Sequence, residues 1–462
     1  MLNETMNSVK QSPAPKEFDF GVVGLGATGR SVARYLDHTQ RTFCAMDTRP
    51  DSPQVIEFQT SFPRIETHSG SLVPAELARC RELVVSPGID PKLPELQQAV
   101  ASGSHIIGDI ELFCRAADAP ILAITGTNGK STVTTMVAHI LRCAGKQVLS
   151  GGNLGPPALD LLGGDDPEFY VLELSSFQLE TTASLKTKVA AVLNISPDHL
   201  DRHETVDAYA AVKSRILDGA EIGVINADDP RVSTMRCPGT RITFSISAPA
   251  SADLGARFDG GRVALCFRDG SEEFVSSLAK MGRHNVDNAA AAAAICWAVG
   301  IVPGDIAAAL ETYEMLPHRA RVVAERNGVR FVNDSKATNP GAASSSLKSV
   351  ADTAGVVMIL GGSNKEVSFG ILADEVAALS RHVILIGETA TEIERAINHR
   401  VPCTHAATMS DAVSRAVAVA RHGDVVLLAP ACASFDMFPS YVARGEAFEA
   451  AVEALGDDAW RA

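Results

Sequence analysis

Ten residues, Thr125-Gly126-Thr127-Asn128-Gly129-Lys130-Ser131-Thr132-Val133-Thr134, gather the side chains that hold a polyphosphate. An apolar run, Ala119 to Ile124, precedes them, and an amphipathic stretch, Val133 to Leu141, follows. That order predicts a strand, a glycine turn and a helix. In such a turn the backbone N–H groups and the helix N-terminus converge on an anion. Lys130 adds a point charge, and Ser131 or Thr132 offers a hydroxyl to Mg²⁺. The full P-loop pattern has a glycine six positions before the lysine, where this chain has Ile124. The turn is therefore a tightened variant, and its chemistry is that of a nucleoside triphosphate.

Other constellations recur just after apolar, strand-like runs. Gly24-Leu25-Gly26-Ala27-Thr28-Gly29 follows the first such run, and Asp47 ends the next. This spacing fits a dinucleotide turn with an acid for a ribose hydroxyl, or another nucleotide-containing ligand in a Rossmann-like domain. Glu173, in Leu172-Glu173-Leu174-Ser175-Ser176-Phe177-Gln178, stands at a strand end, the edge where open parallel sheets bind ligands, and suits Mg²⁺ or plain solvation. Asn194-Ile195-Ser196-Pro197-Asp198-His199-Leu200-Asp201-Arg202 brings a second polar cluster, in which His199 could ligate a divalent metal. Asn285 and Asn288 share a helical face and could read an adenine or a phosphate, or Asn285 could simply start the helix. Lys213 falls in a helix from about Thr205 to Leu217 whose apolar stripe is marked by Tyr209, Val212 and Ile216; by pattern alone it reads as a snorkelling surface lysine. Three more polar loops follow three late strands: Asn333-Asp334-Ser335-Lys336-Ala337-Thr338-Asn339-Pro340, Gly361-Gly362-Ser363-Asn364-Lys365, and Ala429-Pro430-Ala431-Cys432-Ala433-Ser434-Phe435-Asp436. They would converge on one crevice. Cys432 has no histidine placed to activate it and reads as a buried thiol.

The elements that position these residues alternate between short apolar runs and helical patterns, the mark of parallel sheets covered on both faces. At 462 residues the chain exceeds a single core. Boundaries near Ser104–Gly108 and Leu316–His318 predict three α/β domains at 18–108, 109–315 and 316–462, after a disordered lead at 1–17. The first and third are expected to be Rossmann-like. The middle one is expected to be a P-loop ATPase domain, with a small antiparallel sheet from about Arg241 to Val275. The net charge of −14 argues against nucleic acid or an anionic membrane as partner. Met1 to Phe20 lacks the apolar core of a signal peptide, and the nine scattered cysteines form no C-x-x-C pair, so a reducing cytoplasm is expected.

Taken together, the glycine turn, Leu172 to Gln178, Asn333 to Asn339 and Ser86-Pro87-Gly88-Ile89 resemble the Mur ligases of peptidoglycan synthesis, over about Phe18 to Leu455. The resemblance implies ATP-dependent addition of D-glutamate to UDP-N-acetylmuramoyl-L-alanine through an acyl phosphate, by a monomer. It implies that Gly26, Ala27, Thr28, Asp47, Thr48, Arg49, Gly88 and Asn153 hold the UDP substrate. ATP would lie on Gly126, Thr127, Asn128, Gly129, Lys130, Ser131, Thr132, Asn285, Asn288, Arg319 and Asp334. Mg²⁺ would be served by Ser131, Glu173, His199 and Lys213, the lysine as a carbamate formed with CO₂. Lys130, Lys213, His199 and Glu173 are then the catalytic set. Glutamate would be held by Lys336, Thr338, Lys365, Ser434, Phe435 and Tyr441. Many relatives have an acid and glycines around the substrate lysine, where this chain has Ser363-Asn364-Lys365-Glu366. An NAD-dependent oxidoreductase, resting on Gly24–Gly29 alone, would leave Lys130 without a task. A folylpolyglutamate synthetase would lack the N-terminal nucleotide domain.

Overall fold

The computed structural model describes residues 16–164, 166–279, 283–351, 354–363 and 368–456. Most of the N-terminal lead, and Lys365 with its neighbours 364–367, lie outside the described residues. The backbone divides into two compact units, one taking the chain to Ile121 together with Leu149–Lys186, the other Leu122–Val148 with Thr187–Ala462.

The first unit is built on five parallel strands, β1 (Phe18–Val23), β2 (Phe43–Asp47), β3 (Thr67–Ser69), β4 (Cys80–Val85) and β5 (His105–Ile107), in the order β3-β2-β1-β4-β5. The central β1 is buried at Gly21, Val22 and Val23, as a strand covered on both faces must be. The helix Ala27–His38 begins within the first glycine turn, Gly24–Gly29. That turn needs its last glycine: a Cβ at Gly29 would lie 1.9 Å from the carbonyl oxygen of Gly24. β5 forms one edge of this sheet and lies within the first domain expected from sequence, 18–108.

The P-loop strand β6 (Ile121–Thr125) is fully buried and runs into the helix Lys130–Cys143. Next come β7 (Val148–Gly152) and β8 (Phe169–Glu173), then, in the second unit, β9 (Thr187–Val192), β10 (Ala220–Asn226), β11 (Thr240–Ser245), β12 (Leu254–Asp259), β13 (Arg262–Phe267) and β14 (Glu272–Val275). The strands of the second unit are ordered β14-β13-β12-β11-β10-β9-β6. They are parallel from β6 to β12 and antiparallel from β12 to β14. The antiparallel ribbon expected beside the middle domain thus extends its sheet, with β11 and β12 as parallel intermediates. The alanine-rich helix Arg283–Ala298 packs on the P-loop helix, its alanines buried from Ala289 to Ala294.

The chain ends in a third sheet, β15 (Arg321–Arg326), β16 (Val329–Asn333), β17 (Val356–Gly361), β18 (Ser380–Ile386), β19 (Cys403–His405) and β20 (Val425–Leu428), ordered β15-β16-β20-β17-β18-β19. Only β15 runs antiparallel. Since β16, β20 and β17 are adjacent and parallel, the three polar loops that follow them leave the sheet along one edge.

Candidate active site

In the first unit a cavity of about 540 Å³ opens at the C-terminal ends of β1, β2 and β4. Gly26, Ala27, Thr28, Asp47, Thr48, Arg49, Gly88 and Asn153, all the residues expected to hold the UDP substrate, line it. Asp47 is buried at 1% exposure and is tied down: Oδ2 accepts the N–H of Leu25 at 2.7 Å and Arg49 Nη2 at 2.9 Å, and Oδ1 accepts Arg49 N and Nε. Burial pushes its carboxyl up, but the bonds from Arg49 and Leu25 outweigh that and hold it below the usual carboxylate range. Ser86, Pro87, Ile89 and Gln178 line the same cavity, the last not singled out by sequence. Gln178 Oε1 accepts the Ser175 N–H in a capping box, and its Nε2 donates to Asp109.

Glu173 also belongs to this unit, at the end of β8 and 2% exposed. Its Oε1 accepts Asn153 Nδ2 at 2.6 Å, while Oε2 is buried with no hydrogen-bond partner among the described residues. A buried carboxylate oxygen left unbonded is costly. An oxygen-seeking dication fits it.

Lys130, Ser131, His199 and Lys213 belong to the second unit. Gly129 adopts φ +81°, and a Cβ there would meet Asn288 Oδ1 at 2.3 Å, so the turn is packed against the asparagine face of the alanine-rich helix. Asn288 Nδ2 donates to Asn285 Oδ1 at 3.2 Å, and both side chains are buried. Lys130 Nζ donates to the carbonyls of Gly126 and Thr127 at 2.9 and 2.8 Å. The loop after β9 is stitched to the turn: Asn128 N donates to Asn194 Oδ1, and the N–H of Ser196 to Thr127 Oγ1. On that loop His199 sits at φ +54°, its N–H bonded to Asp198 Oδ1 at 3.0 Å.

A second cavity, of about 130 Å³, is lined by Asn128, Gly129, Thr132, Asn285, Asn288, Arg319 and Asp334, seven of the expected ATP residues. Lys336, assigned to glutamate, lines it too. Burial raises the Asp334 carboxyl to about 6, the nearby Arg319 only partly opposing. Lys213 is not on the surface, as its pattern suggested: it is 1% exposed, its Nζ donates to Thr125 Oγ1 at 3.3 Å and lies 4.7 Å from the Tyr209 ring centre. The buried stripe of its helix, Val206–Ser214, is Tyr209 and Lys213, one turn apart, and Val212 is only partly covered.

The polar loops after β16, β17 and β20 do come together. Ser363 bridges to Ala433, Ala431 N donates to Ala337 O, and Lys336 Nζ lies 4.2 Å over the ring of Tyr441. Ser434 is buried and Phe435 is 75% exposed. Thr338 is half-buried in the same stretch as Lys336. Cys432 is a buried thiol, pushed up to about 12 by desolvation. Sequence reading missed the residue that holds these loops. Arg444, 1% exposed, donates Nε to Ser335 Oγ, Nη2 to Ser335 O, and Nη1 to the carbonyls of Cys432 and Ala433. Burial brings its guanidinium down to about 10. Its signal was an arginine one turn before Phe448, on the buried stripe of the helix Tyr441–Glu453.

Comparisons with known proteins agree with this arrangement. Family models match in chain order: "Mur ligase MurD-like, N-terminal domain" at residues 19–108, "Mur ligase middle domain" at 124–296, and "Mur ligase, glutamate ligase domain" at 318–432. The chain is 46% identical over 437 residues to the UDP-N-acetylmuramoylalanine--D-glutamate ligase of Pseudomonas fluorescens Pf0-1, covering 94% of this chain and 97% of that one. It is 44% identical over 441 residues to the enzyme of that name from Pseudomonas aeruginosa, with the same coverage. Among solved structures, a UDP-N-acetylmuramate-alanine ligase from Thermotoga maritima shares the fold, with TM-score 0.60 at 17% identity over 95% of this chain and 99% of that one. A pseudomurein peptide ligase type C from Methanothermus fervidus does so with TM-score 0.61 at 20% identity, over 88% and 96%. Similarity of this extent, running the length of the chain through both the first-unit cavity and the phosphate turn, has one consequence: the chain belongs to the Mur ligase family.

Proposed function

We propose that this protein joins D-glutamate to UDP-N-acetylmuramoyl-L-alanine at the expense of ATP, a step of peptidoglycan precursor synthesis. The observation that carries the reading is identity of about 45% over 94% of the chain to ligases of that name. In this reading domains 18–108, 109–315 and 316–462 take the UDP substrate, ATP and glutamate. All three sites then lie on one chain, acting as a monomer in the cytoplasm.

The alanyl carboxylate oxygen attacks the γ-phosphorus in line, the bond to the β-phosphate oxygen breaks, and ADP leaves an acyl phosphate. The glutamate amine then attacks the acyl carbon, loses a proton, and inorganic phosphate departs. Such transfers need positioning and charge stabilisation more than covalent help from the protein. The turn amides and Lys130 hold the phosphates, Asn285 and Asn288 the nucleotide, and Arg319 and Asp334 close its cavity. Lys336, Thr338, Ser434, Phe435 and Tyr441 face the amino acid, with Lys365 expected to bind a carboxylate.

Mg²⁺ fits the residues present, the unpartnered Glu173 Oε2 above all. When bound it would neutralise developing phosphate charge. Glu173, His199, Ser131 and a carbamylated Lys213 would hold it. Burial of Lys213 supports the carbamate, since an ammonium is costly to remove from water and only the neutral amine takes up CO₂.

Phosphate release from ATP, measured with UDP-N-acetylmuramoyl-L-alanine and each amino acid of either hand, tests the proposal. Release is expected with D-glutamate and not with L-glutamate or other amino acids; release with a different amino acid would reassign the enzyme within its family.

A further inference from the structure

The motif after β16 carries a residue that none of these substrate assignments uses. Asn339 precedes the helix Pro340–Ala351 and is 5% exposed. Its Oδ1 accepts the N–H of Ala342 at 2.8 Å, capping that helix. Its Nδ2 donates in two directions, to Asn128 Oδ1 in the glycine turn at 3.2 Å and to Asp198 Oδ2 at 3.1 Å. Capping engages the oxygen and two acceptors face the nitrogen, so the amide's orientation follows from its neighbours. Asp198 uses its other oxygen to hold the N–H of His199. The start of the helix also presses on this loop, since a Cβ at Gly341 would lie 3.0 Å from Ser196 Oγ.

We propose that Asn339 is a positioning residue: it latches the glutamate-ligase segment onto the phosphate turn, completing the nucleotide cavity with Arg319 and Asp334 and fixing Asp198 beneath His199. The inference rests on the ATP-dependent ligase reading above. Asparagine is suited to both tasks at once. Aspartate would keep the helix cap but turn a carboxylate toward Asp198 in place of two donors. Serine would keep the cap and reach neither partner.

The test compares Asn339→Asp and Asn339→Ser with the wild-type protein in melting temperature, affinity for a fluorescent ATP analogue, and steady-state turnover. Both variants are expected to stay folded with a lowered melting temperature, Asn339→Asp more than Asn339→Ser, since each loses the two Nδ2 bonds and the aspartate adds a repulsion. Asn339→Asp should lower kcat by about 10-fold or more, the effect of charge-assisted bonds lost and a repulsion gained. It should weaken the ATP analogue as well, and leave the KM for the UDP substrate unchanged. Wild-type kcat and nucleotide affinity in both variants would overturn the latch, as would a lowered melting temperature with unchanged kinetics, which would make Asn339 a structural tie only. If stability and kinetics fall together, a double-mutant cycle of Asn128→Ala with Asn339→Ala on nucleotide affinity decides. Non-additive losses support the latch and additive ones overturn it. Should the wild type release no phosphate with these substrates, the ligase reading fails, while the nucleotide-affinity arm still judges the latch.

Discussion

At Lys213 an amine stands at 1% exposure between a threonine hydroxyl and the face of a tyrosine. If it works as a carbamate, Lys213→Ala should lower kcat by at least about 100-fold, equivalent to some 3 kcal/mol of transition-state stabilisation. Acetate or another short carboxylic acid should restore part of the rate by replacing the lost oxygens. A carbamate signal in ¹³C NMR under labelled CO₂ would support the modification; no signal and no rescue would leave the lysine as a simple cation. The residue pattern could not show this. A lysine beside Val212 looks the same whether its helix face meets solvent or the end of β6, and only the burial of Lys213, with its bond to Thr125, decides. The phosphate turn was readable because its work is done by backbone geometry that glycines specify locally. Arg444 and Asn339 were not, since each draws its meaning from partners distant in sequence.

Among the elements, the helix Asp109–Ala116 begins with a buried acid. Burial raises Asp109 from 3.8 to about 6, the Gln178 amide opposing only in part. A carboxyl whose pKa is higher in the fold than in the unfolded chain favours folding while protonated. Its contribution is therefore greatest below pH 3.8 and is lost as pH rises through about 6. Asp109→Asn should match wild type in melting temperature near pH 4 and exceed it at pH 8, by up to about 3 kcal/mol for a two-unit shift. Thermal denaturation at the two pH values checks this, and a variant less stable at pH 8 would mean the fold prefers the ionised acid. The parallel strands were legible as apolar runs because both their faces are covered. The three-residue edges β3, β5 and β19 were not, being too short to carry a pattern. Alternation from about Arg241 to Val275 revealed strands but not their neighbours' direction, so the parallel join of β11 to β12 stayed hidden.

On the scale of the whole chain, the cavity proposed for the UDP substrate is built within one compact unit and the cavity proposed for ATP within the other. Asp47→Ala should therefore raise the KM for the UDP substrate by about 10- to 100-fold, as for a charge-assisted bond lost, and leave ATP affinity unchanged. Steady-state kinetics with one substrate varied at a time separates the two; a parallel loss of ATP affinity would show that the cavities are not independent. The α/β class was legible from the alternation of runs. The order of strands within each sheet was not, because pairing depends on crossovers that no local pattern records.

Lys130 has a resting place. With its ammonium bonded to the carbonyls of Gly126 and Thr127, the turn keeps its cation inside its own curve. In the ligase reading proposed above, a bound triphosphate would offer Lys130 phosphate oxygens in exchange for those two carbonyls. In that reading the carbonyls of the turn compete with phosphate oxygens for one ammonium.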